Sequence, residues 1–165
     1  MTDHVLERRF WLPRPRPEVF EFFAQPANLV LVQPPGTHLR WIAAPPPSLA
    51  AGTVLDFRVR VLGLPTRWRV MVRELDRPYR FVDVQLLGPF ARWEHRHRFL
   101  EGAVGESAMA APPPGSPGTW VEDRVTYRLP LGALGELAHT LAARRRIARL
   151  FDYRERRLRE LFPPG

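Results

Sequence analysis

Tyr79 to Leu100 reads YRFVDVQLLGPFARWEHRHRFL. It has the form of two strands joined by a tight turn at Gly88-Pro89-Phe90, because glycine and proline supply the backbone geometry that turns need. Side chains alternate between faces along a strand. One face therefore collects Phe81, Asp83 and Gln85 from the first strand and Trp93, His95, His97 and Phe99 from the second. The opposite face collects Arg80, Val82, Val84 and Leu86, then Arg92, Glu94, Arg96 and Arg98. The charge on that second face marks it as solvated, so the aromatic and histidine face points inward. A purely structural core would carry Val, Ile and Leu there. Inward polar groups need partners or a ligand. A three-residue turn sets Asp83 opposite His95 and Gln85 opposite Trp93.

The strands on either side extend the same pattern. Val5 to Leu12 reads as a first strand with mixed alternation, and Pro13, Pro15 and Pro17 end it. Pro17 suits the first position of a helix and Glu18 its N-terminus. That helix is followed by a second short one over 27–32, which Pro34-Pro35-Gly36 terminates. A short strand is expected over His38 to Ile42, then one over Thr53 to Leu62 with Leu55, Phe57, Val59 and Val61 on one face. Gly63-Leu64-Pro65 turns into Thr66 to Leu75, where Trp68, Val70 and Val72 oppose arginines. Residues 101–118 (EGAVGESAMAAPPPGSPG) read as an unstructured loop, a candidate lid. The last strand, Thr119 to Leu129, places Val121, Asp123, Val125, Tyr127 and Leu129 on one side. A basic amphipathic helix of ~28 residues, ~42 Å long at the helical rise, is expected from about Gly132 to Leu161. Leu134, Leu141, Phe151 and Leu158 lie on its apolar stripe. It is the element long enough to cover a half-apolar antiparallel sheet.

The 165 residues suit a single domain spanning 1–165. There is no cysteine, which excludes disulfides and thiol chemistry. The formal charge is +8, and all 25 basic residues are arginine. They are spread over strands and helix rather than interleaved with aromatics on one face, so a nucleic-acid partner is not expected. No apolar run is long enough for stable membrane insertion. The charged N-terminus does not read as a signal peptide, so a cytoplasmic location is expected. No glycine-rich phosphate loop precedes a helix. Oligomeric state is not encoded in any feature of the pattern.

The segments PEVFEFFAQPANL (17–29), QPPG (33–36), RFVDVQLLGPFARWEHRHRF (80–99), DRVTYRLPLGALG (123–135) and FDYRERRL (151–158) together resemble the SRPBCC superfamily. This superfamily includes START lipid-transfer domains, plant pathogenesis-related allergens and polyketide cyclases. Within it, a bacterial subfamily of presumed ligand-binding proteins is the most similar. The resemblance covers nearly the whole chain. It implies the α+β helix-grip fold: a curved antiparallel sheet of about seven strands, two short helices after the first strand, and a long C-terminal helix over the concave face. It also implies a small hydrophobic ligand, of lipid, polyketide or isoprenoid-like class, held between sheet and helix.

On that reading Phe57, Val59, Trp68, Phe81, Trp93, Leu141 and Phe151 contact an apolar ligand body, and Asp83, Gln85, His95, His97, Asp123 and Tyr127 meet a polar head. Two alternatives stand beside it. In a cyclase or dehydratase, Asp83 and His95 would move a proton and Tyr127 would stabilise an oxyanion. In a ligand-responsive regulator, the bound molecule would alter a partner surface. His95 and His97 share a face and could ligate an ion with Asp83 or Asp123 as a third ligand. H-x-H alone is a weak motif, however, and the fold implied by the resemblance usually takes organic ligands, so neither metal nor cofactor is expected.

Overall fold

The computed structural model describes residues 2–102, 118–130, 132 and 142–164. Seven antiparallel strands form one sheet in the order β1-β7-β6-β5-β4-β3-β2. They are β1 (His4–Leu12), β2 (Arg40–Trp41), β3 (Val54–Val61), β4 (Leu64–Asp76), β5 (Arg80–Leu87), β6 (Arg92–Glu101) and β7 (Thr119–Arg128). Helix α1 (Arg16–Ala24) follows β1, and helix α2 (Arg144–Leu161) follows β7. The expected loop, apart from its ends, and the expected first part of the last helix, including Leu141, fall outside the described residues.

Local chemistry sets the boundaries. Proline stands in the first turn of α1, with Glu18 beside it. The helix stops at Gln25, because the residue before a proline avoids the helical region. The expected second helix is a 3₁₀ segment, Pro26–Val32, with a shorter one at Pro35–Thr37. Three prolines within ten residues remove the donors an α-helix would need. The strand expected over 38–42 shrinks to Arg40–Trp41. The β3–β4 turn is also one residue earlier than expected. Leu62 and Gly63 both take positive φ, 54° and 81°, the two-residue turn whose twist matches antiparallel strands.

The β4–β5 pairing carries two register irregularities: between Arg69 and Val70 the extra residue is Leu86 of β5, and between Val72 and Glu74 it is Arg73 of β4. Bulges bend a strand and increase its twist, so the sheet curves at this point. The second one also resets the alternation: Val72 faces the core, and the next core residue is Leu75.

Helix α1 seals one end of the concave face. Phe20 meets Phe99 edge-on at 5.2 Å and Phe81 at 6.1 Å. Helix α2 buries Phe151, Arg154 and Leu158, spaced i, i+3 and i+7 on one stripe. Arg8 of β1 is ion-paired to Asp152 of α2, tying the edge strand to the helix. Many outward arginines pair across strands, including Arg67 with Asp56, Arg73 with Glu94 and Arg98 with Glu122. The net charge is thus carried on a solvated, largely paired face. Among the described residues, no helix is long and apolar enough to cross a membrane.

Candidate functional site

The inward face of the β5–β6–β7 ribbon holds four ionisable side chains. Cross-strand register sets Asp83 opposite His95 and His97 opposite Asp123. His95, His97 and Asp123 are 4%, 2% and 3% exposed. Asp123 lies behind both imidazoles. His95 donates from Nε2 to Asp123 Oδ1 at 2.9 Å, since an ionised carboxylate only accepts. His97 Nδ1 lies 2.8 Å from the same oxygen, out of line for a hydrogen bond. On the other side, Asp83 Oδ2 stands 3.4 Å from His97 Nε2 and 3.9 Å from His95 Nδ1. The register expected for Asp83 and His95 is present, but the hydrogen-bonded partner of His95 is Asp123.

Burial opposes charge on Asp123, yet the charge of His97 and the imidazole donors outweigh it. They hold its carboxyl far below the usual carboxylate range. Burial also pushes both histidines down. For His97, the carboxylates of Asp123 and Asp83 more than compensate, and its pKa ends above the ordinary value. For His95, the neighbouring charge of His97 adds to burial, and its pKa ends below. The same cluster therefore pushes the two imidazoles in opposite directions, His97 up and His95 down. Aromatic packing fixes both rings: Phe81 stacks on His97 at 4.1 Å, and Phe151 meets His95 edge-on at 5.3 Å.

A cavity of about 150 Å³ lies between the sheet, α2 and the 3₁₀ segments. Phe57, Val59, Trp68, Phe81, Trp93 and Phe151 line it, and Asp83, His95 and His97 stand in its wall. Trp68 and Trp93 contact each other at 5.3 Å, nearly perpendicular.

Three of the expected contacts lie elsewhere. Gln85 donates from Nε2 to the Phe90 carbonyl at 2.7 Å and accepts from the Phe90 N–H at 3.4 Å, so its amide braces the β5–β6 turn. That turn folds Phe90 back against Trp93, 4.7 Å away. Tyr127 packs beside Phe90 and Trp93, outside the cavity wall, and burial raises its pKa. Asp123 is screened from the cavity by the two imidazoles. Leu141 lies outside the described residues.

Two parts of the wall were not anticipated. Phe22, Phe23 and Leu29, from α1 and the segment after it, close the side opposite β3 and β4. Arg154 is 9% exposed and faces the cavity from α2. Its guanidinium carbon is 5.7 Å from the Phe151 ring centroid, and its Nε is buried without a hydrogen-bond partner. Among the described residues it makes no ion pair. Its position between Phe151 and Leu158 on the helical stripe is the signal that could have singled it out from the other arginines of α2.

No protein-family model and no curated protein matches the chain. Solved structures do. A protein of Thermus thermophilus superposes with a TM-score of 0.62 at 21% identity, covering 97% of this chain and 100% of its own. Ginseng major latex-like protein 151 from Panax ginseng gives 0.65 at 10% identity, covering 98% and 99%. Norcoclaurine synthase from Thalictrum flavum, in complex with dopamine and hydroxybenzaldehyde, gives 0.61 at 12% identity, covering 96% and 88%. With the strand order, the curved antiparallel sheet and the C-terminal helix laid against it, these likenesses establish that the chain has the helix-grip fold.

Proposed function

We propose that the protein binds a small organic molecule with an aromatic-ring-sized apolar body and an acidic head. The observation that carries this reading is the cavity itself: mostly apolar, walled by two tryptophans, and lined by Arg154, which makes no ion pair among the described residues. Apolar cavities of about 150 Å³ accept benzene, so the space suits one ring better than a lipid chain. The Arg154 Nε is buried without a hydrogen-bond partner, which is costly, and the planar guanidinium fork matches a carboxylate in geometry and charge. The ring would lie among Phe57, Val59, Trp68, Trp93 and Phe151.

The test is titration of the chelator-treated protein with benzoate and with benzyl alcohol, read by tryptophan fluorescence. Two of the five tryptophans stand in the wall, so binding alters emission. Saturable binding of benzoate, tighter than that of benzyl alcohol and abolished by Val59→Phe, is expected. Absence of saturable binding, or binding indifferent to Val59→Phe, would refute the proposal.

A second reading, acid–base catalysis, is favoured by one feature. His95 is oriented from behind by Asp123 and stands in the cavity wall, the arrangement of an oriented general base. Tyr127 is not placed to serve such a reaction from the cavity side. Deuterium exchange into phenylacetone that is lost in His95→Gln, with binding of the ketone retained, would support the enzyme; no exchange above solvent would remove it.

A further inference from the structure

We propose that Asp83, His95 and His97 form a binding site for one divalent first-row transition-metal ion, with Asp123 as the carboxylate that orients His95 and stands beside Nδ1 of His97. This reverses the expectation drawn from the H-x-H spacing alone, and it does not depend on the organic ligand. The three candidate ligand atoms all lie within 4.8 Å of one another.

The argument starts from which nitrogens are available. His95 uses Nε2 to donate to Asp123, and Nδ1 of His97 lies 2.8 Å from the same oxygen. The other nitrogen of each ring, Nδ1 of His95 and Nε2 of His97, is the one nearest Asp83. His95 donates one N–H to a carboxylate and turns its other nitrogen toward Asp83, the arrangement of a metal ligand with its supporting carboxylate; His97 turns Nε2 to the same point with Nδ1 close to Asp123 but not aligned for a hydrogen bond.

One of the two distances to Asp83 agrees. Asp83 Oδ2 is 3.4 and 3.9 Å from those nitrogens. Charge-assisted hydrogen bonds would be about 2.7–2.9 Å. Ligands about 2.0–2.1 Å from a tetrahedral ion stand about 3.3–3.4 Å apart. Both separations are long for direct bonding; the one to His97 equals the edge of a coordination polyhedron, and the one to His95 is longer, so that binding an ion draws Asp83 and His95 together. Three adjacent strands and the packed rings of Phe81 and Phe151 hold the geometry.

Charge and ligand type select the ion. With both imidazoles neutral as ligands, a dication cancels the charges of Asp83 and Asp123. Buried carboxylates require such compensation. Two nitrogens and one oxygen suit Zn²⁺, Co²⁺ or Fe²⁺; Ca²⁺ and Mg²⁺ prefer oxygen throughout. Asp83, His95 and His97 all stand in the cavity wall, so the remaining coordination positions open into the cavity. This is the layout of a site that keeps a place for water or ligand rather than a closed structural one.

The experiment titrates chelator-stripped protein with Co²⁺, with no organic ligand present, and follows the visible absorption. The expected result is saturation at one ion per chain, displacement by Zn²⁺, and two strongly shifted imidazole N–H proton signals in the NMR spectrum of the Co²⁺ form. D123N is expected to weaken binding by about 10–100-fold, and D83N and H97Q by more. Asp83 is partly exposed, so D83N keeps the fold; circular dichroism verifies this. Absence of one-to-one binding, fewer than two shifted imidazole signals, or affinity unchanged in folded D83N would each overturn the site.

Discussion

Replacing Arg154 with methionine separates a ligand-recognition residue from a structural one. Methionine keeps an unbranched apolar stem of similar reach and removes the guanidinium. The buried Nε–H has no partner, and leaving such a donor unsatisfied costs about 1–3 kcal/mol. The guanidinium over Phe151 returns about 0.5–1 kcal/mol. The difference predicts that Arg154→Met leaves the ligand-free protein more stable by about 0–2.5 kcal/mol, a rise of up to several degrees in Tm for a chain of this size. A charge-assisted hydrogen bond to a carboxylate is worth about 1.5–3 kcal/mol, so benzoate affinity should fall by about 10–150-fold. Urea unfolding monitored by tryptophan emission gives the first number, and the fluorescence titration gives the second. Arg154→Lys keeps the charge but loses the planar fork, so its affinity falls between the two. Loss of stability by more than about 1 kcal/mol in Arg154→Met, or unchanged benzoate affinity, would refute the reasoning and make Arg154 a packing residue.

Three further outcomes follow from the packing and the cluster. Gly88→Ala would drive a Cβ into Oε1 of Gln85, whose amide braces the turn. Displacing that amide forfeits two hydrogen bonds, a loss of about 1–3 kcal/mol in urea unfolding; an unchanged midpoint would show that the turn holds without Gln85. Leu158→Ala removes a fully buried side chain on the α2 stripe and should cost about 2–5 kcal/mol; a smaller loss would mean that α2 collapses onto the sheet to fill the void. In chelator, NMR should resolve the two buried imidazoles on opposite sides of the ordinary value of 6.5, His97 above and His95 below. The stabilisation from His97 is complete below pH ~6.5 and lost as pH rises through its raised pKa. The contribution of His95 has the opposite sign: stability declines as pH falls from ~6.5 through its lowered pKa, and Asp123 adds a further loss below pH ~4. Stability that rises steadily from pH 6 to 8 would contradict this assignment.

Period-two alternation was sufficient to place Asp83, His95, His97 and Asp123 on one inner face; pairing Asp83 with His95 needed the three-residue turn as well. It works there because β5, β6 and β7 are regular over those residues. It fails in β4 after Val72, because a bulge adds a residue that no composition signal marks, and Leu75 turns inward as a result. Gln85 is on the correct face, yet its amide is consumed by the backbone of its own turn. A side-chain bond to the backbone five residues on depends on how the turn folds, and alternation does not encode that. Arg154 was hidden by its surroundings. In a helix rich in arginine, one more reads as part of the wet face until its spacing from Phe151 and Leu158 is measured. The wall formed by Phe22, Phe23 and Leu29 depends on how α1 and the 3₁₀ segment cross the sheet, which is tertiary geometry.

The four-residue cluster is a poor solution for stability alone. Hydrophobic residues of similar volume at these positions would avoid desolvating two carboxylates, and such replacements in buried ion networks are often neutral or stabilising. The neighbouring inward positions already follow that solution: Phe81, Phe99, Val121 and Val125 are apolar and buried. The polar set is therefore confined to one patch, and three of its four members stand in the wall of the cavity. The fourth, Asp123, is absent from that wall and contacts the imidazoles from behind, bonded to His95 and close to His97. Division into three displayed groups and one hidden support is what separates a site from a structural network, because a network built only to satisfy itself needs no displayed side. The same logic applies to Arg154 in the cavity wall, a cation without an ion-pair partner among the described residues. A dication at the histidines and an acid at the guanidinium would each supply the charge that the folded chain leaves missing.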